Sequence, residues 1–480
     1  MAFEQDAKED ALLSLSYGEA PALAVAPPVA EAASPAGPDE PVIGPLLRLA
    51  LPTIAVLIVQ TLVSVAETYF VGHLGTNALA GVALVFPVLM LMTMMSNGGF
   101  GSGASAAIAR AMGAGRKQDA DALVLHAVVV ALALGAVFSI GVIGGGHYLF
   151  EALGGKGEAL EAAKQYSFFI FAGAVLIWLV NMLSSALRGA GDVKTPAWVI
   201  VAGAFIVVPA SPAFIFGFGP VPAFGVAGAG IAILIYYVLA SVALVLYVRS
   251  KRSSVRLIWC PLEWRLFSDI LGVGGLSAIG SMQSNLTIAI VTSLVSVYGS
   301  DAIAGYGIAS RLDYVLIPIM FGLGMATLIL VGRNVGANRI PQARKIAWTS
   351  AAIGFFITET AGILAALFPG EWLRIFSDDP NVLATGTTYL RIVGPCYGFF
   401  GAGMMLFFST QGAKRVLFST LSGTARFLIA SAGGFIAIRF FHAGLSGLFA
   451  MVAAATCAFG TLIALSVWLR PWKGGAALGD

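Results

Sequence analysis

The feature that constrains this chain most is an apolar segment of about 20 residues that recurs along nearly its whole length, each copy long enough to cross roughly 30 Å of hydrocarbon as a helix. Such segments lie near 46–70, 78–106, 121–148, 163–187, 195–217, 225–248, 268–298, 303–331, 345–368, 385–410, 416–440 and 445–469. Within lipid every backbone polar group must be satisfied inside its own segment, so runs of this length fold as helices. The expected class is an all-α integral membrane protein with twelve transmembrane helices. Composition agrees, with 58% of residues hydrophobic and 11% charged, against roughly 45–50% and 25% in soluble domains. The 58 glycines follow no G-X-Y period and fall inside apolar runs, where small residues let membrane helices approach closely.

The 27 Lys and Arg residues set the orientation. With a cytoplasmic N-terminus, twenty of them, including Arg116, Arg188, Arg252 and Arg339, fall on the inner side, and five (Lys156, Lys164, Arg374, Arg391, Arg439) on the outer. Arg311 and Arg426 fall within spans. This asymmetry is the positive-inside pattern and puts both termini in the cytoplasm. Residues 1–41, rich in Ala, Pro and Glu, read as a disordered cytoplasmic tail. The opening MAFEQDAKED has no basic stretch followed by an apolar one, so no cleaved signal peptide is expected. A net charge of +3, with no basic stripe, excludes nucleic acid as a partner. The three cysteines, Cys260, Cys396 and Cys457, suggest neither a disulfide framework nor a metal site.

The sequence contains itself twice. LGTNALAG (Leu74 to Gly81) returns as YGSDAIAG (Tyr298 to Gly305) at an offset of 224, and RAMGAGRKQDADA (Arg110 to Ala122) as RNVGANRIPQARK (Arg333 to Lys345) at 223. LRGAGDVK (Leu187 to Lys194) against TQGAKRVL (Thr410 to Leu417) keeps the 223 offset. An even number of spans per copy makes the repeats parallel, the arrangement of transporters that rock two bundles about a central cavity. The expected organisation is a first six-helix lobe over 42–249, a cytoplasmic linker over 250–267, a second lobe over 268–470 and a cytoplasmic tail over 471–480.

The run GHLGTNALAGVALVFPV with ARAMGAGR, its echo YGSDAIAGYGIASRL with GRNVGANR, and the turn ALRGAGDVKTP together resemble the multidrug and toxic compound extrusion (MATE) transporters. The resemblance spans roughly residues 46 to 470. It implies a V-shaped central cavity, a bacterial inner-membrane location, and efflux of organic, often cationic or aromatic, compounds driven by inward H⁺ or Na⁺. Expected partners are a small-molecule substrate and membrane lipid, with the chain acting as a monomer and no cofactor beyond the ion gradient.

The first span carries a carboxyl, Glu67, where hydrocarbon is expected. At 100° per residue Thr53, Gln60, Ser64 and Glu67 fall within about 60° of one another, a polar stripe that belongs toward protein or water. Two readings stand: Glu67 reaches the outer interface, or it is a proton carrier with Gln60 and Ser64 as its companions. Apart from Lys164 at the outer edge of the fourth window, no Lys or Arg lies within the other five apolar windows of this half to neutralise it. The resemblance implies the second reading, since prokaryotic members place an acid at this position. Many members also carry an Asn-x-x-x-Asp pair in the fifth span, where this chain has Val207 and Ser211. A Na⁺ site wants several oxygens at once, so proton coupling is the simpler expectation.

The second half differs. Glu67 shifted by 224 lands on Val291, and the ionisable residues are instead Arg311, Asp313, Glu359 and Arg426. Arg311 and Glu359 lie at similar depth from the outer ends, about 12 and 14 Å by the helical rise, so a pair between them is expected. Two bases and two acids sum to zero, as a buried cluster must. A structural network and a second coupling or substrate site both fit. Ser277, Ser281, Ser284, Asn285 and Thr292 form a stripe on the seventh span, either a cavity wall or a packing seam. Thr53, Ser211 and Met94 complete the candidate cavity lining, the methionines of MLMTMMS being adaptable contacts or plain filler.

The function these features favour is a secondary active efflux antiporter. A lipid-linked-precursor flippase of the same superfamily is the alternative, set against the absence of an intramembrane base in the first half. An intramembrane enzyme is disfavoured because no HExxH, GxSxG or paired-Asp arrangement lies in the spans, and no P-loop motif occurs to bind a nucleotide.

Overall fold

The computed structural model describes residues 41–469 and Trp472. Apart from Pro41 and Trp472, the segments expected as terminal tails lie outside the described residues. Twelve spans follow in chain order: α1 Ile43–Gly72, α2 Thr76–Gly113, α3 Lys117–Ala152, α4 Gly157–Ala172 with Ala174–Gly189, α5 Lys194–Phe216 and α6 Val226–Arg249. The second series is α7 Trp264–Ser296, α8 Ser300–Gly336, α9 Ile340–Leu367, α10 Pro380–Gly412, α11 Leu417–Arg439 and α12 Gly444–Leu469. Among the described residues there is no β-strand, only an isolated bridge between Phe218 and Val221.

The helices outrun the apolar windows. α2 continues to Gly113 and α8 to Gly336, because a window stops at the first charge whereas the helices run through Arg110 and Arg333, both of them buried. The segment expected as a linker over 250–267 is shorter than expected, since α7 begins at Trp264. It is also pinned to α3: the Glu263 amide donates to His126 Nε2 at 2.9 Å and the Arg256 amide to Asp121 Oδ1 at 2.8 Å.

Both lobes break one helix at the same place. α4 bends by 48° at Gly173, and α10 passes through a short 3₁₀ turn at Gly394–Cys396. α2 has 38 residues and its repeat partner α8 has 37. The extra residue is absorbed in a π-helical stretch, Met94–Gly101, the usual structural result of a one-residue insertion in a helix and a common site marker.

Three cores hold the spans together. One fills the first lobe around Ile108, Phe171 and Trp178. Another fills the far part of the second lobe around Tyr306, Tyr389 and Phe449. A third joins the lobes, with Leu46 and Leu49 of α1 and Ala106 of α2 packed among Met320, Leu323 and Met325 of α8, and with Trp472 at its rim. Side chains such as Ile140, Trp198 and Phe205 face outward, an apolar exterior of the kind that marks a membrane surface.

At the base-rich end the lobes are clasped with approximate twofold symmetry. Arg110 Nη1 donates to the Gln411 and Gly412 carbonyls at 3.2 and 3.0 Å, and its Nη2 reaches Asp269 Oδ1 at 2.9 Å. Arg333, the repeat counterpart of Arg110, donates to the Ala190 carbonyl at the end of α4. Between them α2 and α8 cross in backbone contact. A Cβ on Gly113 would stand 2.0 Å from the Arg333 carbonyl oxygen, and one on Gly336 2.1 Å from that of Arg110.

Candidate functional site

Against the inner wall of the first lobe lies a narrow pocket, with polar groups from α1 (Thr53, Gln60), α2 (Asn97) and α4 (Asn181, Ser184, Arg188) and with Phe321 of α8 closing it from the other lobe. The π-helical stretch carries Asn97. Arg188 Nη2 donates to Asn97 Oδ1 at 2.7 Å and to Ser185 Oγ at 2.8 Å, and Asn181 Nδ2 to Ser96 Oγ at 2.7 Å. Arg188 is 6% exposed, and its Nε meets no acceptor. The first lobe thus holds a buried base at the inner end of α4, just past its apolar window. Arg188 closes the last turn of α4, beyond the point where the apolar window ends, and folds back inside. The motif ALRGAGD carried the residue but gave no sign that the side chain turns inward.

The four-residue stripe on α1 divides. Thr53 and Gln60 line the pocket, whereas Ser64 is exposed and its carbonyl accepts from Thr68 Oγ1 at 2.8 Å. Glu67 faces away from the pocket toward the Tyr166 hydroxyl of α4 and the Tyr237 ring of α6. Its Oε1 is closed off from solvent and has no hydrogen-bond partner among the described residues. No hydrogen bond joins it to Gln60 or Ser64, so the expected grouping of these three around one carboxyl does not form. Tyr166 and Tyr237 were missed because an aromatic in a hydrophobic run carries no sequence signal of its own. Ser211 is buried, its Oγ unpartnered, and it is not among the pocket-lining residues.

In the second lobe the four charged residues part company, and the pair expected between Arg311 and Glu359 is absent. Arg311 is exposed and lies over the Phe376 ring at 5.2 Å. Glu359 Oε2 accepts from the Gly398 amide at 2.7 Å, stitching α9 to the first turn of the inner part of α10. Equal depth placed the two residues at one level but not on facing sides of their helices. The centre of the cluster is Asp313, which lies near Tyr397 and within electrostatic reach of Arg426, with no direct ion pair and with the Tyr397 hydroxyl unpartnered among the described residues. Arg426 itself lies over the rings of Phe400 and Phe459 at 5.1 and 5.5 Å. Tyr306 and Tyr389 complete the surround. Tyr389 is Tyr166 shifted by 223, so the same position of the broken helix serves the acidic cluster in each lobe, although the acids come from different helices.

The α7 stripe is largely self-satisfied. Ser281, Ser284 and Thr292 each donate to the carbonyl four residues earlier, at 3.2, 3.1 and 2.8 Å. Asn285 does the same at 2.9 Å and also reaches Met94 Sδ across the lobe boundary at 2.9 Å. Asn285 and Met94 thus meet, and the packing reading of this seam gains a concrete contact.

Two lobes of six helices related by an internal repeat, one holding a polar pocket against the other, define a polytopic membrane transporter. The MatE family model matches residues 52–215 and again 277–436, once on each repeat, and the chain belongs to that family of multidrug efflux transporters. It is 27% identical over 446 residues to "Probable multidrug resistance protein NorM" of Thermotoga maritima, covering 90% of this chain and 94% of that one. It is also 27% identical over 370 residues to the "FAD transporter" of Shewanella oneidensis, covering 76% and 80%. A solved MATE structure in a bent conformation superposes with a TM-score of 0.83 at 26% identity, covering 89% of this chain and 95% of that one.

Proposed function

We propose that this chain is a secondary active efflux antiporter of the bacterial inner membrane, working as a monomer with both termini in the cytoplasm and expelling organic compounds in exchange for protons carried by Glu67. One observation carries the coupling: a half-buried carboxyl with one oxygen shut off from solvent and unpartnered, and no base beside it. Such a group is costly to keep charged and cheap to protonate, so its occupancy by a proton differs between a closed and an opened lobe. Na⁺ coupling is the weaker variant, because a hard cation needs more oxygens than the single carboxylate and phenol gathered here. Cationic and aromatic substrates follow from the family, and the name of the Shewanella relative extends the range to a flavin dinucleotide.

The flippase reading gains one observation, the buried Arg188. A pyrophosphate would draw on several bases, and the pocket offers one.

The test is Glu67→Gln in reconstituted vesicles. It keeps size and hydrogen-bonding capacity but cannot titrate, so insertion and substrate binding should persist while pH-gradient-driven efflux is lost. Glu67→Asp should keep partial activity with a shifted pH optimum. Efflux by Glu67→Gln close to that of the unaltered protein would return Glu67 to the role of an interfacial anchor. A Na⁺ gradient that drives efflux at zero pH gradient would overturn the choice of proton.

A further inference from the structure

We propose that Arg188, Asn97 and Gln60 form an oxyanion subsite at the floor of the first-lobe pocket, which binds the carboxylate or phosphate of an organic substrate. The inference rests on the transporter reading and names a substrate class for it.

The argument begins with an unbalanced charge. A guanidinium carries five N–H donors and cannot shed its proton. Arg188 is 6% exposed, bonds only neutral oxygens of Asn97 and Ser185, and leaves Nε without an acceptor. The other two buried arginines at this end are spent on the lobe clasp, Arg110 on Asp269 and two carbonyls, Arg333 on the Ala190 carbonyl. Arg188 takes no part in that clasp. It points into a pocket whose lining includes no acid. A buried cation without a counter-charge is costly, and the missing partner has the chemistry of a planar or tetrahedral oxyanion, which a guanidinium matches with paired N–H donors.

The internal repeat supplies a control for the bland explanation that these groups merely hold α4 in place. Shifted by 223, Asn181, Ser184, Ser185 and Arg188 become Met404, Phe407, Phe408 and Gln411. The broken helix of the second lobe keeps its geometry with apolar side chains and a neutral amide, so the fold does not require the cation. Within the repeat pair α2 and α8, only α2 carries the extra residue and the π-helical stretch that holds Asn97 against Arg188; the π-helical turn of the second lobe, Ile429–Gly433, lies in α11 instead. The insertion and the polar set occur together on one side of the molecule, opposite Phe321, whose ring is available to an aromatic body attached to the anion.

The experiment uses two xanthene dyes of similar size and opposite charge, carboxyfluorescein and tetramethylrhodamine ethyl ester, bound to the purified full chain in nanodiscs and read by anisotropy. Carboxyfluorescein should bind, and Arg188→Gln, the residue found at the repeat position, should weaken it at least tenfold while the cationic dye is unaffected. Arg188→Lys should recover part of the loss. Asn97→Asp gives Arg188 an internal carboxylate, so it should abolish anionic-dye binding with no fall in thermal stability. Unchanged carboxyfluorescein affinity in Asn97→Asp or Arg188→Gln would overturn the proposal, as would wild-type protein that binds only the cation. Competition separates the sources of the anion: displacement by benzyl phosphate assigns a soluble substrate, and displacement by farnesyl pyrophosphate alone a lipid-linked one. Failure of Glu67→Gln to impair efflux would sink the coupling reading and leave these equilibrium measurements to decide the subsite independently.

Discussion

Asp313 and Arg426 show how a charged cluster in a membrane is held by its surroundings. Arg426 is stacked on two rings and lies within electrostatic reach of Asp313, whereas Arg311, two residues before Asp313 and so on the opposite side of α8, stands exposed over Phe376. Arg426 combines two ring contacts with the attraction of Asp313, and removing it leaves that carboxyl without its counter-charge, while an exposed cation–ring contact contributes about 0.5–1 kcal/mol. Arg426→Ala should therefore lower the thermal stability of the purified protein strongly, and Arg311→Ala only slightly. Asp313→Asn combined with Arg426→Met should recover most of the loss, because it removes both charges and keeps the ring packing. Equal melting temperatures for the two arginine variants would show that Asp313 has another partner.

The crossing of α2 and α8 is an element-scale device. Three features coincide there: glycines at Gly113 and Gly336, carbonyl oxygens only 2.0 and 2.1 Å from where a Cβ would stand, and the arginines Arg110 and Arg333, each reaching the end of the broken helix of the other lobe. Gly191, at a φ of 92° in the turn after α4, would place a Cβ 2.3 Å from Arg333 Nη2, so this turn is shaped to the arginine it receives. A methyl group at the crossing cannot be accommodated without separating the helices. Gly113→Ala and Gly336→Ala should each shift the population toward a form open at the base-rich end. Spin labels on Lys117→Cys and Ile340→Cys, in a background without Cys260, Cys396 and Cys457, should report longer distances in both variants. Unchanged distances, with folded yield retained, would mean that the crossing does not hold the lobes closed.

For the whole molecule, the charge partition predicts that the Arg116, Arg252 and Arg339 segments face the cytoplasm and the Lys156 and Arg374 segments face out. Impermeant maleimide on intact cells should label single cysteines at 156 and 374 and leave those at 116, 252 and 339 unmodified until the cells are opened. Labelling at 252 from outside would invert the molecule. The same placement puts the clasp and the Arg188 pocket nearer the cytoplasm and Glu67 nearer the outside, separating the proposed proton and anion sites along one lobe.

The sequence by itself determined the class, the spans and the duplication, because lipid imposes a uniform demand on every segment that crosses it and the offsets of 223 and 224 survive in plain text. It also placed Glu67, since a carboxyl in an apolar run stands out without reference to anything else. What it did not contain were partners. Arg188 was legible only as a residue after the fourth window, and Arg311 and Glu359 only as two charges at equal depth. Helix rotation, the bend at Gly173 and the π-helical stretch decide which side of a cylinder a group presents. Those are fixed by packing against neighbours far away in the chain. Tertiary structure therefore turned Arg188 inward to Asn97, set Glu67 against Tyr166 and separated Arg311 from Glu359, because a side chain's direction depends on helix–helix contacts that no single hydrophobic segment encodes.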